Sequence, residues 1–339
     1  MTSTFRARGR TAAALMAVAW LAAIGPAGCS TSTASPGKRV TLVAYSVSKS
    51  AYDAMQTAFV ATPQGAGVTF AASYGPSGSQ SKAVANGQQA DYVAFSLEPD
   101  LSSLAPSFVD LGWNSGPTKG LVSDSVVVIA VRKGNPKGIL GWDDLIKPGV
   151  TIVTPDPGSS GSAKWNVLAA YAHLLQNGGS DADAQTYLTA FFANVASKPA
   201  SAAAATQTFL NGTGDVLISY ENEAIAARQK GAPLDYVVPA ESILIENPAA
   251  VTKHAPQAAK DFLVFAQSEA GQKIFASKGF RPVLGSVAAG PVQGANNPAD
   301  PFPRVAKLET VADLGGWSVV NNKLFNKADG IVTRLLNGS

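Results

Sequence analysis

An α/β architecture, with largely parallel sheets covered by helices on both faces, is what this sequence predicts, and three observations predict it. Short apolar runs rich in Val, Ile and Tyr alternate with stretches of helical period. Three of the apolar runs are followed by small-residue turns that open a helix, the layout of strand–turn–helix units. The 339 residues are 46% hydrophobic, enough to bury a core for two packed lobes, so disorder is excluded as the main state.

The chain opens with Arg6, Arg8 and Arg10, an apolar run over 11–24, and then Gly25, Pro26, Ala27, Gly28 and Cys29. Basic, apolar and small-residue regions in that order form a secretory signal too short for a permanent bilayer span. The single cysteine directly after Ala27-Gly28 resembles the lipobox of bacterial lipoproteins, with Pro26 standing where that pattern has Leu. The resemblance implies a signal peptide over 1–28 and a lipid-modified Cys29. Residues 29–38, Ser/Thr/Pro/Gly-rich, then read as a flexible tether. Two acyl chains would hold the domain behind it on the outer, periplasmic face of the cytoplasmic membrane.

Beyond the tether, strands are expected at 40–47, 68–72, 92–96, 126–132, 150–154, 216–220 and 242–246. Helical faces appear at Tyr52/Met55/Phe59, Trp165/Leu168/Ala169/Ala172/Leu175, Leu188/Phe191/Phe192/Val195 and Ala258/Phe262/Phe265/Ala266. Nothing after Ile24 is apolar for long enough to cross a membrane. The Pro/Gly/Asn-rich stretch 290–303 separates this body from a C-terminal tail, 301–339, expected to wrap over the surface.

Charge and composition narrow the function. Lys plus Arg total 26 against 23 for Asp plus Glu; without Arg6, Arg8 and Arg10 the two are equal. A nucleic-acid binder acting through a net basic field is therefore excluded. One cysteine and two distant histidines, His173 and His254, leave a Cys/His zinc site without ligands, and the sequence calls for neither metal nor cofactor.

The three turns are 74–80 (YGPSGSQ), 157–163 (PGSSGSA) and 199–203 (PASAA). At a helix start the first backbone N–H groups lack an intrahelical partner, and the peptide dipoles add partial positive charge. Small residues let an anion reach them and serine adds a hydroxyl donor, so each turn can form half a cup for a tetrahedral oxyanion. One such turn alone is usually an N-cap. Three of them at the carboxyl ends of strands can converge on one cleft.

Residues 154–171 (TPDPGSSGSAKWNVLAAY) resemble the signature of periplasmic sulfate- and thiosulfate-binding proteins of ABC importers, usually Asn-Pro-Lys-Ser-Ser-Gly-x-Ala-Arg-Trp-Asn. Residues 131–137, 142–150, 214–224, 239–244, 279–282 and 315–317 resemble the same family in the same order. The resemblance implies a two-lobed periplasmic-binding-protein fold of type II, each lobe a mostly parallel sheet flanked by helices, with the ligand between lobes. Lobe 1 would comprise 39–124 and 239–300, lobe 2 125–238. It implies a monomeric, non-enzymatic solute-binding protein that delivers sulfate to ABC permease subunits. The site residues it implies are Ser77, Ser160, Gly161, Ser162 and the backbone N–H of Ala202. Three positions depart from the family: Ser46 replaces an Asp, Tyr220 an indole donor and Ala203 an Arg. They leave thiosulfate and molybdate or tungstate as alternative ligands.

Sulfate is unprotonated at neutral pH, whereas phosphate keeps a proton. A cup of donors alone leaves the phosphate O–H unsatisfied, at a cost of roughly 1–3 kcal/mol. Asp156, between two prolines, reads as an exposed turn residue and not as an acceptor for that proton. An exported hydrolase using Glu221, Glu223 or a loop serine is the enzymatic alternative. Both glutamates read instead as helix N-terminal residues, the stretch 120–124 lacks a nucleophile elbow, and His173 and His254 read as structural or solvated. Trp165 and Trp317 read as packing aromatics.

Overall fold

The computed structural model describes residues 38–337; the expected signal, Cys29 and nearly all of the tether lie outside the described residues. In chain order the first elements are β1 (Arg39–Tyr45), a 3-10 turn (Ser46–Ser48), α1 (Lys49–Val60), β2 (Thr69–Gly75), α2 (Ser77–Ala85), β3 (Tyr92–Ala94) and α3 (Glu98–Ser102). The long strand β4 (Leu121–Arg132) leads into β5 (Ile152–Val153), α4 (Gly161–Gln176), α5 (Asp181–Ala193), β6 (Val195–Ser197), α6 (Ala202–Leu210), β7 (Val216–Tyr220), α7 (Glu221–Gln229) and β8 (Leu234–Val237). A second long strand, β9 (Glu241–Val251), returns to α8 (Gln257–Gln267) and α9 (Glu269–Ser277). β10 (Lys307–Glu309), α10 (Gly316–Val320), a π-helical stretch (Asn321–Phe325) and α11 (Ile331–Asn337) complete the described chain.

The strands run β2-β1-β3-β9-β4-β7-β5-β6, with β10 beside β9 and β8 beside β4. Pairs of β1 with β2 and β3, and of β5 with β6 and β7, are parallel. The antiparallel pairs all involve β4 or β9, the two strands that pass between the halves. The expected parallel character thus lies within each half, and the crossing strands make the whole sheet mixed.

Burial on both faces explains the apolar runs. Along β4, Val127, Ile129 and Val131 enter one core while Val126, Val128 and Ala130 enter another, the period of a strand with both faces covered. β1 does the same, with Val40, Leu42 and Ala44 on one side and Val43 on the other. α1 buries Ala51, Tyr52, Met55 and Phe59, and sets Phe59 5.3 Å from Phe262 and Tyr52 5.6 Å from Phe275 between ring centroids.

Several boundaries differ from expectation. β1 stops at Tyr45 because Ser46 opens the 3-10 turn that redirects the chain into α1. β5 has two residues, since Pro155 and Pro157 carry no N–H for a ladder. β9 runs through Asn247 and Pro248 to Val251, and Val195 begins β6 instead of extending the helical face before it.

The C-terminal region is more than a surface wrap. Val320, Leu324, Ile331 and Val332 are buried in the main core, and Trp317 packs edge-on against Trp165 at 4.9 Å. Where the sequence groups 239–300 with 39–124, Val292 and Ala295 pack with Ile225 of α7 and Tyr236 of β8, and Asn296 N donates to Tyr236 Oη at 3.0 Å.

Candidate functional site

Each of the three small-residue turns carries a strand into a helix. Pro76 occupies the N-cap of α2, so Ser77 is its first residue; Ser160 occupies that of α4, ahead of Gly161 and Ser162. Ser201 caps α6 with its Oγ, which accepts from Ala204 N at 3.1 Å, and Ala202 follows. The first N–H groups of all three helices project beyond the helical ladder.

The turns face one another. A β-carbon on Gly78 would lie 3.3 Å from Ser159 O, which puts the start of α2 against the turn before α4. Ser159 Oγ donates to Ala200 O at 2.9 Å, and Asp156 N donates to Pro199 O at 2.8 Å, joining that turn to the one before α6. A β-carbon on Gly161 would come within 2.9 Å of Ser96 Cβ and Oγ and of Leu97 Cγ, so only glycine lets α4 approach this closely. Ser46, half-buried, and Ala203 border a common cavity of ≈880 Å³ with Glu223.

Hydrogen bonds decide which donors remain. Ser77 Oγ donates to Asp100 Oδ2 at 2.6 Å and accepts from Ser96 N at 2.9 Å, so its hydroxyl proton is committed and its backbone N–H is what α2 presents. Ser160 is the converse: its N–H donates to Asp156 O at 2.9 Å, and its hydroxyl makes no cap bond. Tyr220 is fully buried, with its hydroxyl 2.5 Å from Ser96 Oγ. Burial pushes its phenol far above the ordinary value, against the pull of hydrogen bonds with Ser162 and Ser96, so it stays a protonated donor.

The neighbouring charges Asp100 and Lys164 have partners within the protein. Burial raises the Asp100 carboxyl, opposed by the Ser77 hydrogen bond and by Lys164. Burial lowers Lys164, opposed by Asp100; its Nζ donates to Asn321 Oδ1 at 3.2 Å and lies 5.0 Å above the Phe325 ring. Asp156 is a half-buried turn residue whose Oδ1 accepts from Gly158 N at 2.9 Å.

Ser96, just after β3, is the residue that sequence reasoning missed, having been read only as the end of a strand. No glycine, proline or helix-cap pattern marks it; its sole signal is a position at the same strand edge as the turns. Glu221 and Glu223 do lie in the first turn of α7. Glu221 is fully buried and takes a bidentate pair from Arg281, at 2.7 and 3.0 Å. Glu223 accepts from Ser219 Oγ at 3.0 Å, and burial raises it to about 7. His173 is buried, with Nε2 3.0 Å from Asp143 Oδ1, while His254 is exposed. Among the described residues no group of three His, Cys, Asp or Glu side chains could hold a metal.

Residues 40–281 match the family model of bacterial extracellular solute-binding proteins. The chain is 37% identical over 340 residues to a sulfate-binding protein of Synechococcus elongatus, covering 96% of this chain and 95% of that one. It is 32% identical to a thiosulfate-binding protein of Pseudomonas aeruginosa, over 84% of this chain and 88% of the other. Among solved structures, the sulfate-binding protein SubI from Mycobacterium tuberculosis H37Rv superposes with a TM-score of 0.80 at 45% identity, covering 85% of this chain and all of that one. The fold is that of the two-lobed periplasmic binding proteins. No helix among the described residues is long and apolar enough to cross a membrane.

Proposed function

Because the chain belongs to the bacterial extracellular solute-binding protein family, we propose that it captures sulfate between its lobes and delivers it, without chemical turnover, to the permease of an ABC importer. The observation that carries this is the meeting of three helix starts, joined by Ser159 Oγ donating to Ala200 O and Asp156 N donating to Pro199 O, with the adjacent Lys164 turned to Asn321. Such a cup stabilises a dianion by oriented dipoles and by the positive ends of α2, α4 and α6. The donors are the N–H groups of Ser77, Gly161, Ser162 and Ala202, the hydroxyls of Ser160 and Tyr220, and the turn at Ser46. An open cleft admits the anion, and donors from both lobes then favour closure. The domain acts as a monomer held by a lipid on Cys29 to the outer face of the membrane.

Calorimetric titration with sulfate, thiosulfate, molybdate and phosphate tests this. Sulfate should saturate one site, with phosphate about tenfold or more weaker because its O–H meets only donors. Failure of all four anions to bind would refute the reading. Thiosulfate is the second reading: Ser46 and Ala203, two positions that depart from the family pattern, border one cavity of ≈880 Å³. It predicts that thiosulfate binds at least as tightly as sulfate.

A further inference from the structure

Ser96 lies outside the three turns, yet every polar group it owns is used, and the partners come from both halves of the molecule. Its N–H donates to Ser77 Oγ at 2.9 Å. Its carbonyl accepts from Trp165 Nε1 at 2.8 Å and from Asn247 Nδ2 at 3.2 Å, and Asn247 is itself fixed by Tyr45 Oη at 2.9 Å. Its hydroxyl lies 2.5 Å from Tyr220 Oη. Ser77 and Tyr45 belong to the first half and Asn247 to the crossing strand β9, whereas Trp165 and Tyr220 sit on α4 and β7 of the second half. Separation of the lobes would therefore break two of these bonds and keep two.

We infer that Ser96 is a positioning residue that latches the closed cleft and sets the direction of the Tyr220 hydroxyl. The inference rests on reading the cleft as the anion site. Each hydroxyl carries one proton, so in a 2.5 Å pair one oxygen donates and the other accepts. When Ser96 donates, the Tyr220 proton is free to point at the bound anion, and the anion's negative charge favours that arrangement over its reverse. The two hydroxyls then form a short chain in which each bond polarises the next. The glycine at 161 makes this possible, since any β-carbon there would sit 2.9 Å from Ser96 Oγ and hold the pair apart. Ser96 thus links ligand capture to lobe closure without contacting the ligand.

Stopped-flow tryptophan fluorescence on the full chain, with sulfate as the probe, tests this on Ser96→Ala, Tyr220→Phe and the double variant. Ser96→Ala should speed sulfate dissociation about tenfold, the scale of one lost hydrogen bond, while association stays within about twofold. The double variant should be no worse than Tyr220→Phe alone, because both single changes remove the same chain. Ligand-free melting should stay unchanged in Ser96→Ala. Unchanged dissociation, additive losses, or an equal loss in ligand-free melting would overturn the latch while leaving sulfate capture intact. A wild-type protein that binds no sulfate would overturn both. Tyr220→Phe reads the same coupling from the other side should Ser96→Ala fold poorly.

Discussion

Single side chains divide here into those with spare hydrogen-bonding capacity and those without, and that division predicts which changes touch binding. The Ser160 hydroxyl makes no cap bond, so Ser160→Ala should weaken sulfate binding about tenfold by calorimetry and leave the ligand-free melting temperature unchanged. Asp124 shows a different kind of strain. It lies directly opposite Glu246 across β4 and β9, its Oδ1 is buried without a partner, and burial, then Glu246, raise it to about 7 despite Arg281. A carboxyl raised on folding contributes stability that is fully present below its unfolded value and lost as pH climbs through about 7. Asp124→Asn should therefore raise the melting temperature by about 2 °C or more at pH 8, by less at pH 5 and least near pH 4; equal shifts at pH 4 and pH 8 would contradict this. Ser77 and Ser160 could be picked out in the sequence because they sit in small-residue turns that open helices, whereas Ser46 and Tyr220 emerged only from the resemblance to sulfate-binding proteins. Ser96 could not, because its role comes from what α4 and β7 bring to it from 69 and 124 residues away.

At the scale of elements, the proposed site depends on how closely three helix starts approach. α4 is the most demanding, because Gly161 meets Ser96 and Leu97 at distances no β-carbon tolerates. Gly161→Ala should cost at least tenfold in sulfate affinity by holding the lobes apart, with the ligand-free fold intact by circular dichroism and melting; unchanged affinity would show that the approach is not needed. The strands that run as apolar blocks, such as β4 and β7, were legible because both faces are buried. β6, β8 and β10 have three or four residues each, too few for a period to register, and are held by neighbours already in place. β9 hid half its length behind Asn247 and Pro248, polar and ladder-breaking residues that serve the crossing between halves.

Across the whole molecule, the halves are tied by β4 and β9 and by the buried pair of Glu221, on α7, with Arg281, which follows α9 and bridges back to Asp124. Burial raises Glu221, and Arg281 opposes it, so losing the cation strands a buried carboxyl. Arg281→Met should destabilise the fold by about 3–5 kcal/mol in urea unfolding at pH 7, and Glu221→Gln in the same background should recover part of that loss. The two-lobed plan could be anticipated from alternating strands and helices and from the motif at 154–171. The packing of 290–300 on α7 and β8 could not, because a Pro/Gly/Asn-rich stretch carries little apolar signal beyond Val292 and Ala295. The central claim is that neutral donors alone hold the anion, and the sulfate complex seen at atomic resolution tests it most directly. The account predicts N–H and O–H groups of the three helix starts and Tyr220 within about 3.2 Å of the sulfate oxygens. A lysine or arginine nitrogen touching the sulfate, or sulfate bound outside the cleft, would contradict it.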